Sequence, residues 1–261
     1  MSSSTAVVNL NSRDQIEQRY RAGRIPRRGV IAMAPARAVF SYLAQLLVIG
    51  ILFVASNAHP YQASLGWWTV WGTLIDIGCL AALALLVKRE GIRLLDLVGT
   101  SRSQIKRDLL LAVPFALALL VPAAIVGTVV QKIFYPNATL PPQLEVMHLP
   151  LWAVLYSIIV WPAIWAFTEE VTYLGYTFPR LEVMTRSTVW AAVVVLALWA
   201  FQHPALPLIG GSYPAFRTIT AFTTVVIQTL LFLRFRRLLP LIITHWLADL
   251  SPGFAALLFL R

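Results

Sequence analysis

Charge is scarce in this chain. Of its 261 residues, 21 are Lys or Arg and 11 are Asp or Glu, 12% in all, where a soluble domain carries about a quarter. So few charges cannot dress a water-facing surface. Cysteine is scarcer still. The single Cys79 excludes an intramolecular disulfide and a cysteine-rich metal site; set among Ile, Gly, Leu and Ala, it reads as a packed apolar residue. Low-complexity tracts and any Ser-His-Asp order are missing as well. What the chain does have is apolar side chains, 59% of residues, with a mean hydropathy of +0.74. That composition describes a polytopic membrane protein.

A helix needs about 20 mainly apolar residues to span a bilayer. Seven stretches meet that length wholly or nearly: Ala38–Ala58, Leu65–Val87, Leu109–Ile133, Leu149 to about Phe178, Thr188–Leu208, Phe216–Leu233 and Leu238–Leu260. None alternates apolar and polar residues as the strands of a membrane barrel would. The expected fold is all-α, a helical bundle of about seven transmembrane helices (38–261) behind a basic N-terminal arm (1–37).

The arm holds Arg13, Arg19, Arg21, Arg24, Arg27, Arg28 and Arg37, and no apolar run or cleavage site of a signal peptide. It is expected to lie on anionic lipid headgroups or to dock a membrane-protein partner; nothing in it calls for nucleic acid. Basic residues in the short loops alternate between many and few. The arm and the Lys88–Arg107 loop are rich, Lys132 and Arg217 stand alone, and Arg234, Arg236 and Arg237 form another cluster before the terminal Arg261. The positive-inside rule then puts the N-terminus in the cytoplasm and the C-terminus outside a plasma (inner) membrane. Trp67, Trp68 and Trp152 fall at outer ends, as an aromatic belt would place them.

An ionisable side chain in hydrocarbon costs at least ~2.5 kcal/mol and needs a reason. Glu169 and Glu170 lie in the fourth span, His203 in the fifth, His245 and Asp249 in the seventh, Asp76 in the second. Counting 1.5 Å per residue from Arg180, Arg186 and Arg237 as inner-surface markers, Glu169, His203 and His245 lie roughly 16, 25 and 12 Å deep, close enough to converge. His245 and Asp249, four apart, share a helix face, as do Glu169 and Tyr173. Pro162 is expected to break or bend the fourth helix. Asp76 is open to three readings: a pore-facing carboxylate, a partner to a polar neighbour, or an inert buried acid.

These residues carry a resemblance. Glu169-Glu170-Val171-Thr172-Tyr173-Leu174-Gly175, Trp199-Ala200-Phe201-Gln202-His203 and His245-Trp246-Leu247-Ala248-Asp249 resemble, in order and spacing, the three motifs of the CPBP family, the CAAX proteases and bacteriocin-processing enzymes also called the Abi family: EExxxR, FxxxH and Hxxx(N/D). The resemblance covers about 108–261. It implies an intramembrane endopeptidase acting on a membrane-associated protein or peptide, with Glu169, His203 and His245 catalytic and Glu170, Asp249 and Tyr173 supporting. Two positions depart from the family's pattern. Trp199 replaces one aromatic with another. Leu174 stands where the family has Arg, which one turn after Glu170 would pair with it, so Glu170 must find another donor.

Peptide hydrolysis needs an activated water and a stabiliser for the oxyanion. A carboxylate can take the water's proton and pass it to the leaving amine, while histidines hold the water or donate to the oxyanion. Two histidines and a carboxylate also resemble a catalytic zinc site, so zinc or another divalent metal on Glu169, His203 and His245 and a metal-free glutamate mechanism both stay open. Two other classes compete: a catalytically silent relative acting as a membrane scaffold, for which Leu174 speaks, and an ion-coupled transporter. Against the transporter, the polar set is confined to one half of the chain and no inverted repeat appears.

Overall fold

The computed structural model describes residues 9–257; Arg261 and the end of the Leu238–Leu260 stretch lie outside the described residues. The described residues form helices and no strand. In chain order these are α1 Arg13–Arg21, α2 Arg27–Val54, the short α3 Pro60–Gly66, α4 Trp68–Glu90, α5 Ile105–Phe134, the short α6 Pro142–Glu145, α7 Leu151–Ile159 and α8 Trp161–Glu170. After a π-helical turn, Val171–Thr177, come α9 Phe178–Thr185, α10 Thr188–Gln202, α11 Tyr213–Phe235, α12 Leu239–Ala248 and α13 Leu250–Ala256. The chain is an all-α polytopic membrane bundle.

Among the described residues, six stretches are long and apolar enough to cross a membrane: Arg27–Val54, Trp68–Glu90, Arg102–Phe134, Leu151–Thr185, Thr188–Ala205 and Tyr213–Phe235. The seventh expected span is divided. Its backbone reaches ψ near 0° at Asp249, which closes α12 and lets α13 turn onto α7. Gly253 makes that contact possible, because a Cβ there would fall 2.7 Å from the Ser157 carbonyl oxygen and 2.5 Å from Ile158 Cγ1. Small residues serve close helix approach in membranes in this way. The fourth span breaks where Pro162 predicts, between Ile159 and Trp161. Large apolar side chains such as Val54, Ile133 and Val189 point outward at 69% exposure or more, a surface made for lipid rather than water.

The helix of the first span starts at Arg27, well before Ala38, so residues 27–37 belong to the bundle rather than to the arm. The rest of the arm folds against the protein too. Ile16 is fully buried and Arg19 nearly so, its Nε 3.4 Å from Glu90 Oε2. Two arginines expected at the surface are interior: Arg180, an inner-surface marker, and Arg37, counted with the basic arm, are completely buried. Arg180 grips Glu90 with both Nε and Nη2 at 2.7 Å, a fork the planar guanidinium is shaped for. Trp68 is likewise core rather than belt, its indole donating to the Gln143 carbonyl at 3.0 Å, whereas Trp152 is exposed and packs on Trp67.

α8 occupies the centre, touching α4, α7 and α12; α10 lies against α2, α11 and the π turn. The two glutamates end α8, so their side chains are delivered to the middle of the bundle.

Candidate active site

Glu169 is completely buried and fully engaged. Its Oε2 accepts from Trp199 Nε1 at 2.7 Å and its Oε1 accepts from Gln202 Nε2. Trp199 and Gln202 stand three apart on α10 and so face the same way. Arg37 Nη2 lies 3.4 Å from Oε1, close enough for an ion pair. The same guanidinium donates from Nη1 to Asp76 Oδ1 at 2.8 Å and from Nε to Gln202 Oε1 at 3.1 Å, and sits 4.1 Å over the Trp165 ring. A buried charge is tolerable only when paired and hydrogen-bonded. Here two carboxylates share one arginine. Asp76 thus has a partner, and the partner leads to the site.

Tyr173 does not face a cavity. Its ring stacks on Trp199 at 5.0 Å between centroids, and its hydroxyl donates to Gln202 Oε1 at 3.0 Å. It supports the support.

The π turn after Glu170 changes what the first motif can do. With i→i+5 bonding, the α-helical spacing that would set residue 174 beneath Glu170 no longer applies. Leu174 is completely buried in an apolar cluster with Val171, Phe178 and Leu238. Glu170 takes its donors from other helices: Gln228 Nε2 on α11 at 2.8 Å and His245 Nδ1 on α12 at 3.1 Å, both to Oε1. Two of the carbonyls that the turn leaves loose are satisfied from outside it. Asn11 Nδ2 donates to the Gly175 oxygen at 2.8 Å, and Arg180 Nη1 donates to Gly175 and Tyr176 oxygens at 3.4 and 3.3 Å. The N-terminal segment therefore braces the helix that carries the two glutamates.

His245 is ringed by carboxylates. Beyond Glu170 on Nδ1, its Nε2 lies 3.6 Å from Glu169 Oε2 and 3.3 Å from Asp249 Oδ2. A carboxylate only accepts, so Nδ1 carries a proton toward Glu170. His203 follows α10 in a short 3₁₀ turn and its Nδ1 is 2.9 Å from the Trp199 carbonyl. That oxygen also only accepts, which assigns the proton to Nδ1 and leaves Nε2 as the free edge. His203, His245, Asp249 and Gln228 line one cavity of about 560 Å³. Glu169 lies behind His245 and is not among the lining residues.

A divalent ion on Glu169, His203 and His245 is not prefigured in this arrangement. Among the described residues no three His, Cys, Asp or Glu side chains are grouped to hold a metal. Both oxygens of Glu169 face N–H donors, a cation among them.

Arg37, Gln202 and Gln228 are the members of this site that the sequence reading missed. Their signal was present: each is a polar residue in an apolar helical run, at a depth where a partner is obligatory.

No curated protein and no solved structure matches the chain. Residues 148–251, the segment that carries all three motifs, match the family model described as type II CAAX prenyl endopeptidase, Rce1-like, which falls within the CPBP family that those motifs resemble.

Proposed function

We propose that this protein is an intramembrane endopeptidase that hydrolyses a peptide bond in a membrane-associated protein or peptide, with a prenylated tail as the first substrate to try. The observation that carries it is the meeting of the motifs around His245 of the third, with Glu169 and Glu170 of the first at 3.6 and 3.1 Å, Asp249 of its own motif at 3.3 Å and the Trp199 ring of the second 6.3 Å away between centroids, inside a segment that matches a prenyl endopeptidase family. We propose the metal-free course.

Glu169 Oε2 lies 3.6 Å behind the Nε2 edge of His245, so on this proposal a water enters from the cavity past the His245 ring to reach Glu169, with Asp249 and His203 lining its way in. Glu169 takes a proton from the water as its oxygen bonds the scissile carbonyl carbon. His245, protonated, donates to the oxyanion while Glu170 and Asp249 hold the ring. On collapse the C–N bond breaks and Glu169 returns the proton to the leaving amine. Arg37 supplies the countercharge to Glu169 throughout.

Leu174 was the ground for a silent relative; the donors that Gln228 and His245 give Glu170 in place of an arginine support the active reading. The five exposed arginines of the N-terminal segment, Arg13, Arg21, Arg24, Arg27 and Arg28, fit a cytoplasmic, headgroup-facing side of a plasma membrane. Comparing the membrane peptides of cells that carry wild-type protein or Glu169→Ala tests the function without a chosen substrate. At least one peptide should lengthen in the variant. Identical profiles would overturn the reading.

A further inference from the structure

The cavity that His203, His245 and Asp249 line is open toward one end of the bundle and shut toward the other. Its walls run from Leu119 to Gln131 on α5 and from Phe216 to Gln228 on α11, and Pro141 and Gln143 of the loop after α5 border it. α5 begins beside Lys106 and Arg107, and α11 ends before Arg236 and Arg237. The walls therefore belong to the parts of both helices remote from those basic residues. Thr128 and Gln131 of α5 and Thr220, Thr224 and Gln228 of α11 give the cavity a polar lining. Asp249, also on its wall, keeps 19% of its side chain exposed. At membrane depth such a lining suits water rather than lipid. Exposed Leu120, Ala124 and Thr128 form one stripe of α5 at its edge, with exposed Leu247 and Ser251 on its other wall. The break at Asp249 makes room there, because α13 turns onto α7 while α5 packs on α11 and α12.

Toward the arginines the site is sealed. Leu97, Phe115, Leu174, Phe178, Phe232 and Leu238 belong to one buried apolar cluster at the π turn that follows the glutamates. Phe115 packs on Phe235 and Phe178 on Phe232. A second cavity of about 390 Å³ lies at that end beside Arg13, Glu182 and Arg236. It borders Leu97, Phe232 and Leu238 of the cluster and shares no lining residue with the first. Apolar side chains packed at interior density leave no path between the two. Charge says which end is which. The arginine-rich end is the cytoplasmic one by the positive-inside rule, and Lys132 and Arg217 are the basic residues among the described ones at the other.

We propose that the cavity opens to the extracytoplasmic half of the membrane and takes its substrate from that side: a peptide held in the outer leaflet by a lipid or an apolar segment. The proposal rests on the endopeptidase reading for what the peptide then undergoes, but the side of opening is read without turnover.

The test uses the full chain in right-side-out and inside-out membrane vesicles. Thr220→Cys reports on the cavity, Thr128→Cys replaces it should the first variant fail to fold, and Ser103→Cys reports on the arginine-rich loop. Cys79 is the sole native cysteine and is buried, so wild type is the blank. The probe is the membrane-impermeant sulfonatoethyl methanethiosulfonate, with the remaining thiols counted by a maleimide-polyethylene glycol mass shift. The cavity cysteine should be blocked in right-side-out vesicles only and Ser103→Cys in inside-out vesicles only. Blocking of the cavity cysteine from the cytoplasmic side, from both sides or from neither would overturn the proposal, as would Ser103→Cys answering from the same side. In detergent, the sulfonate adduct of Thr220→Cys should lower cleavage of a farnesylated peptide at least about tenfold by displacing it from the histidines, and the adduct of Ser103→Cys should leave it unchanged. Unchanged cleavage by the Thr220→Cys adduct counts against the proposal too. Labelling as expected with no cleavage by any form sinks the endopeptidase alone, and cleavage with labelling from the cytoplasmic side sinks the side of entry alone.

Discussion

Arg37 Nη2 and Glu169 Oε1 stand 3.4 Å apart with both side chains completely buried. One comes from the first membrane helix and the other from the middle of the fourth. Because Arg37 also holds Asp76 at 2.8 Å, removing it leaves two carboxylates facing each other in hydrocarbon. Arg37→Ala should lower stability by about 3–5 kcal/mol, the usual consequence of orphaning a buried ion, read as a fall in thermal midpoint in detergent. Adding Asp76→Asn should restore part of the stability and none of the activity, since Glu169 still lacks its cation. Full activity in the double variant would show that Arg37 has no role beyond packing.

The two glutamates should behave differently. Glu170 Oε1 accepts two hydrogen bonds while Oε2 is buried without one. Glu170→Gln keeps an oxygen for Gln228 and His245, so cleavage should stay within about threefold of wild type, a loss of under ~1 kcal/mol. Glu169→Gln removes the base and should abolish it. Equal and complete loss from both would mean that Glu170 must bear charge.

Leu174→Arg tests the π turn. On α-helical spacing the new arginine would pair with Glu170 and cost little. In the structure it would enter an apolar cluster at a position with no exposure, and Glu170 already has its donors. A drop of several kcal/mol in stability is expected; wild-type stability would show that the turn can return to α-helical geometry.

Much of the architecture was legible because hydrocarbon punishes polarity. Of the seven spans expected from apolar length, six are long enough to cross among the described residues, and the motif residues stood out as charges in lipid. The misses share a cause. Arg37 and Arg180 looked like interfacial arginines because an arginine near a span's end usually snorkels; only the tertiary positions of Asp76 and Glu90 reveal them as interior. The π turn left no mark in the sequence, so residue 174 was set in the wrong register. The break at Asp249 was hidden by an apolar run that continues on both sides of it.

The N-terminal brace should matter to the site. Asn11 ties Gly175 and Leu97 oxygens together at 2.8 and 3.0 Å. Asn11→Ala should cost about 1 kcal/mol in stability and speed amide exchange in Val171–Thr177 more than in α10. Unchanged exchange in the turn would separate the segment from the helix that carries Glu169 and Glu170.

The most direct measurement is hydrolysis of a farnesylated peptide, as a prenylated tail, in ¹⁸O-labelled water by the purified full chain. Water activated by Glu169 should place one ¹⁸O atom in the new C-terminal carboxylate of the amino-terminal fragment in a single turnover, with no product from Glu169→Gln. Product of equal yield and label from Glu169→Gln would contradict the central claim.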